Sequence, residues 1–156
     1  MKLRTGLLAG VAAGAAGTTA LNSTTYLDMV LRGRPTSNTP EESVEKLAAR
    51  MHLSIPGDQQ SRNNRVAGLG PLIGVLAGVG TGAGLGLARA AGWRPGLAGA
   101  AAAATVGALF AGNAPMTVLG VTDPRSWSAA DWTADAVPHL FYGAVTAAVL
   151  DRMLRP

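Results

Sequence analysis

The sequence of 156 residues contains no cysteine and is poor in both aromatic and charged residues. The absence of cysteine excludes disulfide bonds, thiolate catalysis and metal centres that depend on cysteine ligands. Aromatic residues make up 4% of the chain and charged residues 14%. A soluble core of this size would need more Phe, Leu and Ile, so the composition argues against an ordinary soluble domain.

Glycine is the residue in excess, with 21 copies. Membrane helices use small residues because these let two backbones approach closely. The net charge of +4 does not require nucleic acid as a partner. Lys and Arg lie beside apolar segments, where they anchor helix ends and face lipid headgroups, and they form no contiguous basic patch. We therefore expect the lipid bilayer as a partner, no nucleic acid and no cofactor.

Long apolar stretches predict an all-α protein, a four-helix transmembrane bundle that forms one domain over residues 1–156. A span needs about 20 apolar residues. The stretches that meet this length lie at approximately 4–31, 68–91, 96–119 and 132–153, and the hydrophilic segment 32–67 follows the first of them. The basic start and the small residues near Ala20 would also suit a secretory signal peptide. Helical character continues beyond Ala20, which favours a span.

The hydrophilic segment contains the pattern of a short amphipathic helix. Thr39 is expected to be the N-cap, with Pro40 at the first helical position and Glu42 closing a capping box. An apolar stripe follows at helical spacing, and residues 55–58 have the chemistry of a turn. The stripe consists of Val44, Leu47, Ala48 and Met51. A solvated connector is favoured over a lid or docking element.

Four alternating spans define two sides of the membrane. Side A carries both termini and the connection between the second and third spans, and side B carries the other two connections. Trp93, Trp127 and Trp132 flank the spans, as interfacial aromatics do. Basic residues are almost evenly shared between the sides. We prefer cytoplasmic termini in a bacterial inner membrane. If the first segment does not span, the amino terminus and the first loop would lie together in the cytoplasm.

Glycines recur every four residues in the first two spans. A row at this spacing drifts about 40° per step around the helix, so a neighbouring helix can follow it by crossing at an angle. Packing within one subunit is favoured over a seam between copies. Gly80 and Gly84 lie on the opposite face and predict a second neighbour. The expected packing residues are Gly6, Gly10, Gly14, Gly70, Gly74, Gly78, Gly82 and Gly86.

Polar residues concentrate in the B half of the predicted spans. Polar groups in hydrocarbon need partners or water, so they predict a vestibule that opens on side B. Its candidate residues are Asn22, Thr25, Asp28, Asn113, Asp135, His139 and Tyr142. The alternative is that each group satisfies a nearby backbone carbonyl. Pro138 and Pro115 are expected to disturb the helices around two of these residues.

No pattern in the sequence identifies a catalytic residue. There is no Gly-x-Ser-x-Gly motif, and His52 and His139 are the only imidazoles. Asp131, Asp135 and His139 share one helix face and could contact a hard metal. Carboxylates in the first turns of a helix complement its dipole, which is the simpler reading. We therefore predict neither a metal site nor an enzyme.

Several short motifs resemble the YagU-like inner-membrane proteins of bacteria and related domains of unknown function. They are residues 16–22, Arg34-Pro35, residues 39–42 and residues 139–143. The resemblance implies a multi-span membrane fold without an assigned activity.

The leading hypothesis for function is a nonenzymatic accessory or scaffold subunit. It would associate through glycine-rich helix faces, with itself or with a larger membrane complex. A small transporter or channel subunit that uses the vestibule is the alternative, and a membrane enzyme acting on a lipid or prenyl substrate ranks last.

Overall fold

The computed structural model describes residues 2–155 and confirms an all-α protein. Its helices are α1 (Leu3–Arg32), α2 (Thr39–Arg50), α3 (Gln59–Ala90), α4 (Leu97–Val118) and α5 (Ala129–Leu154), with a single 3₁₀ turn at Pro124–Ser126. In this part of the chain, α3 and α4 are long and apolar enough to cross a membrane. The helices α1 and α5 fall short of that hydropathy, because Gly, Thr and several polar residues dilute their apolar positions.

The four long helices form a bundle in which each helix packs against two neighbours. The most extensive packing joins α1 to α3 and α1 to α5, followed by α4 with α5 and then α3 with α4. The circuit therefore runs α1, α3, α4, α5 and back to α1. The short helix α2 packs against α3 outside this circuit.

Small residues fill most of the bundle, with Tyr142 and Leu150 as large buried exceptions, and most large apolar residues lie on its surface. The buried apolar positions include the alanines Ala9, Ala13, Ala100, Ala104, Ala108 and Ala147. Phe110 is 74% exposed, and Leu8, Leu76 and Val106 are also more than half exposed. This order of sizes is the reverse of that in a soluble domain, where the large apolar side chains form the core.

Glycine backbones of α1 and α3 are in direct contact. An added Cβ on Gly6 would lie 2.5 Å from the Gly86 carbonyl oxygen, and one on Gly82 would lie 2.5 Å from the Gly10 carbonyl oxygen. Gly14 approaches Gly78 in the same way. Any side chain at these positions would therefore force the helices apart.

The predicted row does not continue as one interface along α3. Gly70 contacts Pro40 of α2, and an added Cβ on Gly74 would meet no atom within 4 Å. Gly80 and Gly84 also face open space, so their face has no protein neighbour within the described residues. The reason is geometric: the row drifts around α3 until it leaves the surface that α1 covers.

The helix α2 is confirmed, but the predicted capping box at its start is wrong. The N-cap residue is Asn38, whose side chain makes no capping hydrogen bond to the backbone. The Ser37 Oγ instead accepts a hydrogen bond from the Thr39 amide at 3.2 Å, and Asn38 Nδ2 donates to Glu42 Oε1 at 2.7 Å. The Ser37 hydroxyl thus accepts from the Thr39 amide, which the predicted capping box assigned to the Glu42 side chain.

The third helix begins at Gln59, nine residues before the predicted span at residue 68. The Asp58 carboxylate accepts a hydrogen bond from the Ser61 amide at 2.8 Å and caps this helix. The first two turns are polar, so hydropathy alone does not detect them. They extend α3 beyond the apolar stretch and carry the surface on which α2 rests.

Three helices end in the same hydrogen-bonded motif, with the residue after the C-cap in the left-handed conformation. Gly92 and Gly120 occupy this position after α3 and α4, and His52 occupies it after α2 with φ of 54°. The His52 amide donates to the Ala49 carbonyl, and the Leu53 amide donates to the Ala48 carbonyl. These are the two bonds of a Schellman motif.

Candidate functional site

Three of the predicted vestibule residues come together between α4 and α5. Asn113 Nδ2 donates a hydrogen bond to Asp135 Oδ2 at 2.9 Å. The other carboxylate oxygen, Oδ1, lies 3.5 Å from His139 Nδ1. We call Asn113, Asp135 and His139 the α4–α5 polar cluster. It links two adjacent helices through a carboxylate that contacts an amide on one side and an imidazole on the other.

The backbone fixes the hydrogen on the His139 ring. His139 Nδ1 lies 2.7 Å from the Asp135 carbonyl oxygen. A carbonyl oxygen can only accept, so Nδ1 carries the hydrogen and Nε2 remains able to accept a hydrogen bond or a proton. The side chains of His139 and Asp135 are 15% and 21% exposed. The cluster therefore lies at the edge of the bundle rather than in its interior.

The remaining vestibule candidates lie elsewhere. The Asp28 carboxylate accepts a hydrogen bond from Arg34 Nε at 2.5 Å and forms an ion pair with Arg32 Nη1 at 3.6 Å. Asn22 and Thr25 are half-buried on α1 and make no side-chain hydrogen bond within residues 2–155. Tyr142 is fully buried, and its hydroxyl donates to the Gly78 carbonyl of α3 at 2.6 Å. Four of the seven candidates therefore lie apart from the polar cluster, and the seven residues form no continuous lining.

The first turn of α5 uses its carboxylate as a cap. Ser128 Oγ accepts a hydrogen bond from the Asp131 amide, and the Asp131 carboxylate accepts one from the Ser128 amide. Hydrogen bonds that the Ser128 hydroxyl and amide donate to the carboxylate hold the pKa of Asp131 below its usual value. Within the described chain, no three His, Asp or Glu side chains are placed to hold a metal ion. Asp131 therefore caps its own helix and is not part of the α4–α5 polar cluster.

Both helices of the cluster continue through their prolines. Pro115 lies inside α4, and Pro138 lies inside α5, one residue before His139. Proline lacks the amide hydrogen, so Pro138 leaves the carbonyl of residue 134 without its usual helical donor. The helix α4 continues past Pro115 as far as Val118.

A layer of threonines and glycines crosses the bundle, and sequence reasoning missed it. Each long helix contributes one threonine that faces a glycine on the next helix of the circuit. The pairs are Thr18 with Gly78, Thr81 with Gly107, Thr105 with Gly143, and Thr146 with Gly17. In three pairs the hydroxyl oxygen is the nearest atom, and in the second pair the Thr81 methyl would lie 3.0 Å from an added Cβ. We call these eight residues the Thr–Gly layer.

The hydroxyls of this layer differ in whether they have a hydrogen-bond partner. Thr18 and Thr81 donate to the carbonyls of Gly14 and Ala77, each at 2.8 Å. Thr146 is fully buried, and its Oγ has no hydrogen-bond partner among the residues described. The oxygen lies against the Gly17 backbone, where a Cα–H group can offer only a weak contact. An unpaired buried hydroxyl costs about 1–3 kcal/mol, so this position carries a local penalty.

Two hydrogen bonds and an ion pair hold the short helix α2 across side B. Lys46 Nζ donates to the Gly120 carbonyl at 2.5 Å, and Arg50 donates to the Val118 carbonyl at 3.2 Å. These carbonyls lie at the end of α4, where cations are favoured by the helix dipole. On the other flank, Arg62 of α3 pairs with Glu45 at 2.7 Å. A cleft of about 430 Å³ remains between α2 and α3, lined by Asn38, Glu41, Glu42, Glu45, Asn63 and Val66.

Comparisons of this chain with protein-family models, curated proteins and solved structures gave no match. The resemblance to the YagU-like proteins therefore stays a prediction. Any functional assignment must rest on the residues and geometry described above.

Proposed function

We propose that the chain is a multi-pass membrane protein of a bacterial inner membrane, and that α1, α3, α4 and α5 all cross the bilayer. The reversed order of side-chain sizes supports this proposal. Exposed Leu, Val and Phe side chains pack favourably against lipid tails, whereas a protein surrounded by water rarely exposes so many of them. Tight Gly and Ala contacts inside the bundle also suit a membrane, where close packing drives helix association.

Cysteine labelling tests the number of spans. Because the chain has no cysteine, single substitutions report one position each. With four spans, T5C, A91C and M153C should react with a membrane-impermeant reagent from one side, and S54C and S126C from the other. If only α3 and α4 span, T5C and M153C should instead react from the same side as S54C. Cytoplasmic labelling of A91C would support our preferred orientation, with side A inside the cell.

We further propose that the protein acts as a nonenzymatic accessory or scaffold subunit. The observation that carries this proposal is the outer face of α3. Gly80 and Gly84 meet no atom within 4 Å, although the glycines on the inner face of the same helix are in backbone contact with α1. A helix from another copy or from a larger complex can approach this face as closely as α1 approaches the inner one.

Crosslinking in native membranes, followed by mass measurement in mild detergent, tests the scaffold role. The wild-type protein should appear in a complex, and Gly84→Leu should reduce the amount of that complex at least fivefold. Leu72→Ala is the matched control, because Leu72 is half exposed on α3 and carries no close backbone contact. A strictly monomeric wild-type protein without a crosslinked partner would reject the proposal.

The α4–α5 polar cluster favours a second candidate, a small transporter or channel subunit. A carboxylate and an imidazole in contact offer a group that can take up and release a proton. Purified protein in liposomes should then carry protons, cations or a small solute, and Asp135→Asn should abolish that flux. Absence of wild-type flux above empty liposomes would remove this candidate and leave the scaffold role.

A further inference from the structure

The two sides of the bundle carry opposite net charges. Side A has six basic residues and one carboxylate, Asp151, which gives a net charge of +5. Side B has seven basic residues and eight carboxylates, which gives −1. Together these values reproduce the net charge of +4. The basic residues of side A are Lys2, Arg4, Arg89, Arg94, Arg152 and Arg155.

The basic residues of side B are all engaged by the protein itself. Four of them pair with carboxylates: Arg32 and Arg34 with Asp28, Arg62 with Glu45, and Arg125 with Asp123. The other three donate to backbone carbonyls: Lys46 to Gly120, Arg50 to Val118, and Arg65 to Pro56. These cations stabilise turns and helix ends, and the eight carboxylates of side B offset their charge.

The basic residues of side A are engaged much less. Arg89 and Arg155 share the single carboxylate of Asp151, at 3.8 and 2.5 Å. The side chains of Lys2, Arg4, Arg94 and Arg152 make no hydrogen bond or ion pair with any other residue in the range 2–155. Side A is therefore a positively charged surface whose charge the chain does not compensate.

We propose that side A docks onto the headgroups of anionic phospholipids in the leaflet that it faces. This inference rests on the proposed membrane insertion, which places these residues at headgroup depth. Anionic leaflets attract basic residues near their surface, and each such residue contributes about a fivefold preference. Arg94 follows directly after Trp93, an aromatic residue of the kind that lies at the interface. The internally neutralised side B gives the opposite leaflet no comparable attraction.

Lipid retention in native mass spectrometry tests the proposal. The protein is exchanged into mixed micelles of phosphatidylglycerol and phosphatidylcholine, and the ratio of the two bound lipids is measured. The wild-type protein should retain phosphatidylglycerol preferentially. The double variant R94Q/R152Q should lose at least tenfold of that preference, whereas the control R62Q/R125Q removes the same charge from side B and should lose less than threefold.

Two further measurements separate the possible failures. Salt at 0.5 M should weaken the wild-type preference, because exposed charges are screened within about 10 Å at 0.1 M and within less at higher ionic strength. Flotation with liposomes reports membrane insertion separately from lipid choice. A protein that floats but shows no phosphatidylglycerol preference, or equal losses in both double variants, would overturn the lipid proposal alone. A protein that does not float would overturn the proposed membrane insertion.

Discussion

The residue that ends α2 is unusual for its position. His52 has a positive φ of 54°, a conformation that most other helices of this chain reserve for glycine at the same place. A side chain with a Cβ is strained there by about 1–2 kcal/mol. A basic side chain near the end of a helix suits the helix dipole. The structure instead makes its backbone the critical feature.

His52→Gly should therefore stabilise the protein. The expected gain is about 0.5–1 kcal/mol in the free energy of unfolding, because glycine adopts the left-handed conformation freely but loses more entropy on folding. Unfolding by denaturant in detergent measures the difference. His52→Ala keeps the strain and is the control. Equal midpoints for the two variants would show that the backbone at this position carries no strain.

Individual glycines of α3 should differ sharply in their tolerance of a side chain. Gly78→Leu should abolish the folded bundle, since an added Cβ would meet the Thr18 hydroxyl and the Tyr142 ring. Gly80→Leu makes the same chemical change where there is open space and should leave the bundle intact. Leu76→Ala, at a residue 62% exposed, should change stability by less than about 0.5 kcal/mol. The yield of monodisperse protein in detergent distinguishes these outcomes, and loss of G80L alone would contradict the packing described.

At the scale of the helices, the sequence predicts existence better than boundaries. The all-α class and the helix after Pro40 follow from periodicity, which local residues determine. The start of α3 at Gln59 does not follow from hydropathy, because its first turns are polar and are held by Asp58 and by contact with α2. The expected cap at Thr39 fails because the helix begins one residue earlier: the Glu42 amide donates to the Asn38 carbonyl, and Ser37 Oγ accepts from the Thr39 amide.

The candidate site divides in a similar way. Asn113, Asp135 and His139 meet because the predicted antiparallel order of α4 and α5 places them at the same depth. Tyr142 belongs to the interior instead, since its hydroxyl reaches a carbonyl of α3. The Thr–Gly layer could not be predicted, because each of its contacts joins two distant segments. The only signal in the sequence is one threonine near the middle of each apolar stretch.

A double-mutant cycle can measure one contact of this layer. The Thr81 methyl is the only atom that an added Cβ on Gly107 would meet within 4 Å. Gly107→Ala should therefore be rescued by Thr81→Ser, with a coupling of about 0.5–1.5 kcal/mol. Gly112 has no such neighbour, so Gly112→Ala and Thr81→Ser should be additive. Coupling of equal size in both cycles would show that the contact is not specific.

Water access to the polar cluster can be tested with cysteines. If a vestibule opens on side B, cysteines at positions 22, 113 and 139 should react with a water-soluble thiol reagent from that side alone. A cysteine at position 107 should stay protected, because Gly107 is partly buried beside Thr81. Inertness at 113 and 139 equal to that at 107 would reject the vestibule and favour local hydrogen bonding of each polar group.

Across the whole molecule, side B depends on carboxylates that acid can neutralise. Hydrogen bonds from Ser61 to Asp58, from Arg125 to Asp123 and from Ser128 to Asp131 lower the pKa of each carboxyl below its usual value of 3.8. A carboxyl whose pKa is lower in the folded state than in the unfolded state stabilises the fold at pH values above the unfolded-state pKa. This stabilisation is lost as the pH falls through the folded-state pKa. Side A contains Asp151 alone, so acid should affect the two sides unequally.

Hydrogen exchange should detect this asymmetry. Below about pH 4, the first turns of α3 and α5 should lose protection, after correction for the intrinsic dependence of exchange on pH. Asp58→Asn should produce part of that loss at neutral pH in α3 only. Uniform loss of protection at both sides would indicate global unfolding rather than loosening of side B.

The closed circuit of threonines and glycines has a consequence for how the protein is made. Each helix both inserts a threonine into one neighbour and receives one from the other, so no pair of helices is complete by itself. The ribosome delivers α5 after α1, α3 and α4, and α5 brings Thr146 to Gly17 and Tyr142 to Gly78. Until then, the nascent chain holds an open glycine on α1 and an unmatched threonine on α4. A chain that stalls before α5 should therefore stay recognisable to cellular proteases, and its survival depends on synthesis reaching α5.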